Sequence, residues 1–264
     1  MRRLAVALVV AGLLLVPAAA ADDGVMHIRF PEGQSVRQMV DRVSAVRSIA
    51  IHRRHITPVL TATAYAKAAA RASAPAPFRA DDKRHSIEGF LFPATYEFVQ
   101  GTTAGQLIHQ QLLAFDQRWS TVRLSPRAKK VTPYAVVTIA SMVEREAVLP
   151  KERPLIAAVI YNRLDKDMPL GIDATIRYGL GIQGTLPLTA AELANPSPYN
   201  TDLHTGLPPT PIGNPGLPSL QAAAAPADVD DLYYLRRPGS HAHFFTDSES
   251  EFCAKAQAWG YHGC

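Results

Sequence analysis

Fifteen residues late in the chain, TGLPPTPIGNPGLPS from Thr205 to Ser219, hold five prolines and three glycines. Proline lacks the amide hydrogen that a helix interior or a central strand requires, and glycine loses the most backbone freedom when it is ordered. This segment cannot be regular helix. It must be an ordered loop or a disordered linker, and the regular elements must lie on either side of it.

Upstream, MHIRFPEGQSVRQMVDRV reads as a strand, a Pro-Glu-Gly turn and a helix. Ile28 and Phe30 alternate with His27 and Arg29, and Ser35 caps a run in which Val36, Met39, Val40 and Val43 recur at helical spacing. Residues 57–74 predict a second, alanine-rich helix, and ASAPAPFRADDKRH interrupts it as a linker or exposed loop. Residues 104–119 predict another helix. Thr132-Pro133 and Glu152-Arg153-Pro154 are two further helix starts, because a proline in the first turn gives up only an unpaired amide. Near the end, DDLYYLRR and HAHFFTD predict two strands of a hairpin around Pro238-Gly239. There are no internal repeats.

The helix from Pro133 carries two carboxylates, Glu144 and Glu146, at its apolar end. At about 100° per residue, Val136, Ala140, Val143 and Ala147 form its most buried stripe. Glu146 falls to one side between Ile139 and Met142, Glu144 to the other near Val137, and Arg145 points to solvent. A carboxyl beside Ile and Met loses the water that stabilises its charge. Its pKa rises, which suits a proton donor near neutral pH. The competing reading is that both glutamates form ion pairs with Arg145, Lys151, Arg153 or Arg163. Spacing alone does not choose between them.

The chain opens on Arg2 and Arg3, an apolar run from Leu4 to Val16, Pro17 and four alanines. Residues 1–21 therefore form a secretory signal peptide or a membrane anchor, and in either case the remainder lies outside the cytoplasm. Cys253 and Cys264 are then expected to close a disulfide at the tail, with two free thiols as the alternative. Residues 27–85 carry eleven Lys and Arg against four Asp and Glu, while residues 86–264 are slightly acidic. A basic exported segment fits an anionic membrane face or wall polymer, or is a solvated face with no partner. Nucleic acid is not an expected partner.

His241 and His243 fall on one strand face, but a metal site needs three or four ligands and no other spacing supplies them. No metal site is expected. A serine-hydrolase elbow is absent, and GIDATIRYGLG lacks the lysine of a phosphate loop. SPYNTDLHTGLPPTPIGNPG sets Tyr199, Asn200, Thr201 and His204 beside stiff prolines. That composition suits the wall of a sugar-binding groove facing the Glu146 helix, or a plain surface loop.

Taken in order, SIEGFLFPATYEF, TIASMVEREA, AAVIYNRL, DATIRYGLG, SPYNT, GLPPTPIGNPG and HFFT, spread over residues 86–247, resemble the YceG-like endolytic murein transglycosylases. FPEGQSVRQMV is similar to the start of the small LysM-like domain such proteins carry. Three positions depart from the family pattern: Ala94 stands where an acid is usual, Ala174 where proline is, and Phe252 at about the place of a histidine.

The resemblance implies an α+β fold, with a LysM-like module and linker at 25–85 and a catalytic domain at 86–264. It implies that Glu146, the second glutamate of Val-Glu-x-Glu, is catalytic, and that Glu144 is supporting or ion-paired. Glu88, Asp173, Tyr199, Asn200, Thr201 and His243 are the expected substrate-binding residues, with Glu88 as an acid facing positive charge in the reaction. The implied substrate is peptidoglycan glycan, cut between N-acetylmuramic acid and N-acetylglucosamine to leave 1,6-anhydro ends, with no cofactor. The implied place is the periplasmic side of the inner membrane, where the apolar segment meets the cytoplasmic membrane and glycan-synthesis enzymes are candidate neighbours. The alternative is a non-catalytic peptidoglycan-binding protein of the envelope.

Overall fold

A computed structural model describes residues 24–79, 85–184 and 186–261. The expected signal or anchor at 1–21 and the Cys264 half of the expected disulfide lie outside the described residues. Among those described, no helix is long and apolar enough to cross a membrane.

Strand β1 (Met26–Arg29) leads into helices α1 (Val36–Arg54) and α2 (Ala62–Arg71). Ser35 caps α1 in a reciprocal pair with Gln38, so two amides at the helix start are satisfied at once. Strand β2 (Thr95–Phe98) then pairs antiparallel with β1, Ile28 opposite Tyr96 and Met26 opposite Phe98. These four side chains are buried, so one face of the two-stranded sheet belongs to the core. The strand–helix–helix–strand unit spans 26–98 and straddles the change of composition at residue 85.

Helix α3 (Ala104–Trp119) follows, then α4 (Pro133–Glu146) and α5 (Arg153–Asp165). Thr103 and Thr132 cap α3 and α4, and Pro133 and Pro154 sit in first turns as their positions predict. The rest comprises α6 (Asp173–Leu180), α7 (Ala190–Leu193), α8 (Leu217–Ala224), the antiparallel hairpin β3 (Tyr233–Arg236) and β4 (His243–Thr246), and α9 (Glu249–Ala258). Among the described residues the architecture is a mostly helical α+β fold with two small sheets.

Helix α4 is the centre of the molecule. Every residue from Val136 to Val143 is buried, so α4 shows no one-sided stripe. A helix covered all round can show charge only at its ends, and the last turn is where Glu144, Arg145 and Glu146 emerge. Helix α5 is likewise buried from Ile156 to Asn162.

The proline-rich stretch is an ordered loop. Pro211 to Gly216 are all buried. Gly33 N–H donates to Asn214 O at 2.8 Å, Asn214 N–H to Gln34 O at 2.9 Å, and Ile212 N–H to Ser141 Oγ at 3.0 Å. Gly213 has to be glycine here, because a Cβ would lie 2.6 Å from the carbonyl oxygen of Gly33. Helix α8 begins inside the stretch, with Pro218 in its first turn, where a missing amide costs nothing.

Candidate active site

The two glutamates at the end of α4 have different surroundings. Glu144 Oε2 accepts from Gly216 N–H at 3.0 Å, and its Oε1 lies 3.7 Å from Arg153 Nη2. These side chains are 7% and 13% exposed, so this is a largely buried ion pair that ties α4 to α5 and to the proline-rich loop. Among the described residues Glu146 has no such ion-pair partner: its Oε2 accepts from Tyr234 Oη–H at 3.2 Å. Burial pushes the Glu146 pKa up. The Tyr234 hydrogen bond opposes that, the nearby Asp173 charge adds to it, and His243 and Arg145 oppose it. The spacing left the pair undecided; the packing puts Glu144 in an ion pair and leaves Glu146 buried against a tyrosine hydroxyl, with its pKa raised.

The hairpin supplies the neighbours. In its register Tyr234 faces Phe245 and Arg236 faces His243, so Tyr234 and His243 share one face. Their rings meet edge to face at 5.5 Å and 88°. The His243 ring Nδ1 lies 2.8 Å from Glu152 Oε2, and His243 N–H donates to Glu152 Oε1 at 3.0 Å. Asp173 is exposed at the start of α6. Thr201 holds that start: its Oγ1 accepts from Ile172 N–H at 3.0 Å and lies 3.0 Å from Thr175 Oγ1.

Of the residues expected from the sequence, Glu146 and His243 are thus joined through Tyr234, and Asp173 lies within electrostatic reach of Glu146. Tyr234 and Glu152 complete the group, and sequence reasoning gave neither a role. Tyr234 could have been found by carrying the hairpin register from His243 to its same-face neighbour. Glu152 carried no signal beyond a helix start. Among the described residues, no group of three or more His, Cys, Asp or Glu is arranged to hold a metal ion.

The other expected residues are placed differently. Glu88 is 3% exposed and heads α1 instead of standing with Glu146. Both its oxygens lie within 3.1 Å of Val36 N–H, and it also accepts from Tyr178 Oη–H at 3.1 Å and Asn214 Nδ2 at 2.9 Å. Burial pushes its pKa up to about 7, and these donors hold it from rising further. Glu88 and Tyr199 line a cavity of about 730 Å³ between α1, α2 and α6. Tyr199 packs on Tyr178 at 5.1 Å and shares a 2.9 Å hydrogen bond with Thr210.

Asn200 and Thr201 correct the groove-wall expectation. Asn200 is fully buried. Its Nδ2 donates to Leu193 O and Asn195 O, both at 2.8 Å, and its Oδ1 accepts from Asp202 N–H at 3.0 Å. Both of its donor hydrogens are used within the loop, and the buried side chain is closed to a sugar. Thr201 is 2% exposed and holds α6, as above. The loop reaches α4 at Ser141 and Glu144, not at Glu146. Asn200→Ala is therefore expected to lower thermal stability and activity together. Orphaning buried groups costs about 1–3 kcal/mol each, so a loss of about 3 kcal/mol is expected by urea denaturation. Unchanged stability with reduced binding would return Asn200 to the groove.

The profile of the YceG-like family matches residues 9–258. A protein of Streptococcus pneumoniae serotype 2 strain D39 named endolytic murein transglycosylase is 36% identical over 163 residues, which are 60% of this chain and 30% of that one. A protein of the same name from Bacillus subtilis strain 168 is 38% identical over 162 residues, 61% of this chain and 45% of that one. The chain thus aligns with less than half the length of these relatives. The crystal structure of a YceG-like protein from Listeria monocytogenes superimposes with a TM-score of 0.66 at 30% identity, covering 87% of this chain and 75% of that one.

Proposed function

The chain belongs to the YceG-like family, and we propose that it is an endolytic lytic transglycosylase of peptidoglycan with Glu146 as its one catalytic acid. The observation that carries this is the division of labour at the end of α4. Glu144 is spent on Arg153 and Gly216, while Glu146 is buried against a tyrosine hydroxyl with a raised pKa. The names of the pneumococcal and Bacillus relatives support it.

The glycan bond to be cut joins C1 of N-acetylmuramic acid to O4 of N-acetylglucosamine. Protonated Glu146 gives its proton to O4 as the C1–O4 bond breaks. The C6 hydroxyl of the muramic sugar attacks C1, forms the C1–O6 bond and returns its proton to the Glu146 carboxylate. No water is consumed, and the sugar leaves as a 1,6-anhydro end. Most glycosidases use two carboxylates; here the nucleophile belongs to the substrate, so one suffices. Positive charge developing at C1 is met by the substrate's N-acetyl carbonyl or by Asp173. Glu88 is not available for that task, because it is occupied at the head of α1.

The same proposal places the protein at the cell envelope, on the periplasmic side of the inner membrane. The strand–helix–helix–strand unit at 26–98 supports the reading of the N-terminal part as a LysM-like module that holds glycan. The test is a digest of purified peptidoglycan, analysed by mass spectrometry. Anhydro-muropeptides released together with shortened internal strands are expected. Binding to sacculi with no such product would make the protein a wall-binding module instead.

Tyr234→Phe tests the surroundings of the acid. The Tyr234 hydrogen bond stabilises the ionised form of Glu146, so its loss raises the Glu146 pKa further. Cleavage needs the protonated acid and falls as pH rises through that pKa. The basic limb of the kcat profile should therefore move to higher pH in the variant. A limb that stays in place would show that another group titrates there.

A further inference from the structure

Glu152 is the buried charge that this mechanism leaves unused. Its side chain is 5% exposed and closes the single helical turn Pro150–Glu152 that runs into α5. Among the described residues, no lysine or arginine lies within ion-pair distance of it. Both oxygens go to one residue, Oε1 to the His243 amide at 3.0 Å and Oε2 to the ring Nδ1 at 2.8 Å.

A carboxylate removed from water is stabilised only by partners that donate to it. The backbone amide of His243 is one donor. The ring nitrogen becomes the second only if Nδ1 carries the hydrogen. The lone pair of a neutral imidazole then falls on Nε2. Carboxylates orient imidazoles in this way in catalytic triads and behind metal-bound histidines. The rest of the geometry says what Nε2 is near. The ring stands edge-on to Tyr234, whose hydroxyl donates to Glu146.

We propose that Glu152 is a positioning residue, which fixes His243 in the Nδ1–H form and so presents Nε2 beside Glu146 as an acceptor for a glycan hydroxyl. The second half of this rests on the glycan-cleaving reading above. The titratable and charged groups around His243 are Glu152 ahead of α5, Tyr234 on β3, Arg237, whose Nε lies 3.4 Å from the His243 carbonyl oxygen, and Glu146 on α4, within electrostatic reach.

Two measurements test it. In ¹⁵N-labelled protein, two-bond ¹H–¹⁵N correlations of the imidazoles report the tautomer, with the His243 signal assigned by its loss in His243→Gln. Nδ1–H is expected in the wild type, and a mixed or Nε2–H state in Glu152→Gln. On peptidoglycan, Glu152→Gln should lower kcat by about tenfold or more with a smaller change in KM. It should add nothing further in a His243→Gln background. Nε2–H in the wild type, an unchanged tautomer in Glu152→Gln, or additive losses would overturn the proposal. If Glu152→Gln does not fold, the wild-type tautomer and the His243→Gln kinetics decide: Nδ1–H with a kcat loss supports it, and either result missing sinks it. The tautomer is read without substrate, so a wild type that releases no anhydro product would refute the enzymatic reading while the Glu152–His243 pairing is judged on its own.

Discussion

Glu146→Gln is expected to lower kcat on purified peptidoglycan by about a thousandfold or more and to leave the melting temperature close to that of the wild type. A positioned general acid contributes roughly 10²–10⁴ in rate, and Glu144 is held in its ion pair with Arg153. The amide keeps the size of the side chain, and its oxygen still accepts from Tyr234 at the same place. Burial disfavours the charged form of Glu146, so exchanging it for a neutral group does not threaten the fold. Glu144→Gln should behave in the opposite way. Gly216 N–H keeps an acceptor, while Arg153 loses its carboxylate and retains Ser219 Oγ at 3.1 Å. A stability loss of about 1–3 kcal/mol is expected, since the largely buried Arg153 keeps its bond to Ser219 and can still meet the amide oxygen of the new side chain, with activity largely kept at temperatures where the variant is folded. If Glu144→Gln is the inactive variant and Glu146→Gln the unstable one, the acid has been assigned to the wrong side of the helix.

The outcome for these two residues shows what a sequence can carry. Helix starts are local chemistry, and Ser35, Thr132-Pro133 and Pro154 each mark one in the structure. The hairpin at 233–246 follows from alternation and a Pro-Gly turn. Strand β2 was not legible as a strand, because its partner β1 lies some seventy residues earlier and no local pattern encodes that pairing. The short helices α6, α7, α8 and α9 were missed for a related reason, since helices of this length depend on tertiary packing more than on propensity. At the site, the resemblance named Glu146, Asp173 and His243; the structure sets His243 against Tyr234, which bonds Glu146, and Asp173 within electrostatic reach of that carboxyl. Composition misassigned Asn200: an amide beside prolines suits sugar recognition and loop self-bonding equally well. Only the distances to Leu193, Asn195 and Asp202 decide for the loop.

Asn214→Ala is expected to be the most destabilising single change outside the apolar core, with a loss of about 4 kcal/mol by urea denaturation. Asn214 is fully buried, and all of its side-chain bonds cross between distant segments. Its Oδ1 accepts from Gly89 N–H at 3.0 Å and Leu91 N–H at 2.8 Å, while Nδ2 donates to Gln34 O and Glu88 Oε1, both at 2.9 Å. Alanine leaves two buried amides without an acceptor and takes one donor from a buried carboxylate. The same loop bonds Ser141 and Glu144 on α4, so the turn that carries Glu146 should lose order as well, and activity should fall with stability. Asn214→Asp separates the hub from mere bulk. It keeps the acceptor but sets a second carboxyl against Glu88, and two carboxyls at that distance cannot both ionise. Glu88 already has a folded pKa raised from 4.5 to about 7. A raised acid binds more protons folded than unfolded, so its contribution to stability falls as pH rises from the unfolded value through the folded one. In Asn214→Asp that fall should be steeper, and the variant should sit closer to wild type at about pH 5 than at about pH 8. Equal deficits at both pH values would show that the two carboxyls do not share a proton. An Asn214→Ala protein within about 1 kcal/mol of wild type would show that the loop is held by its prolines and not by this amide.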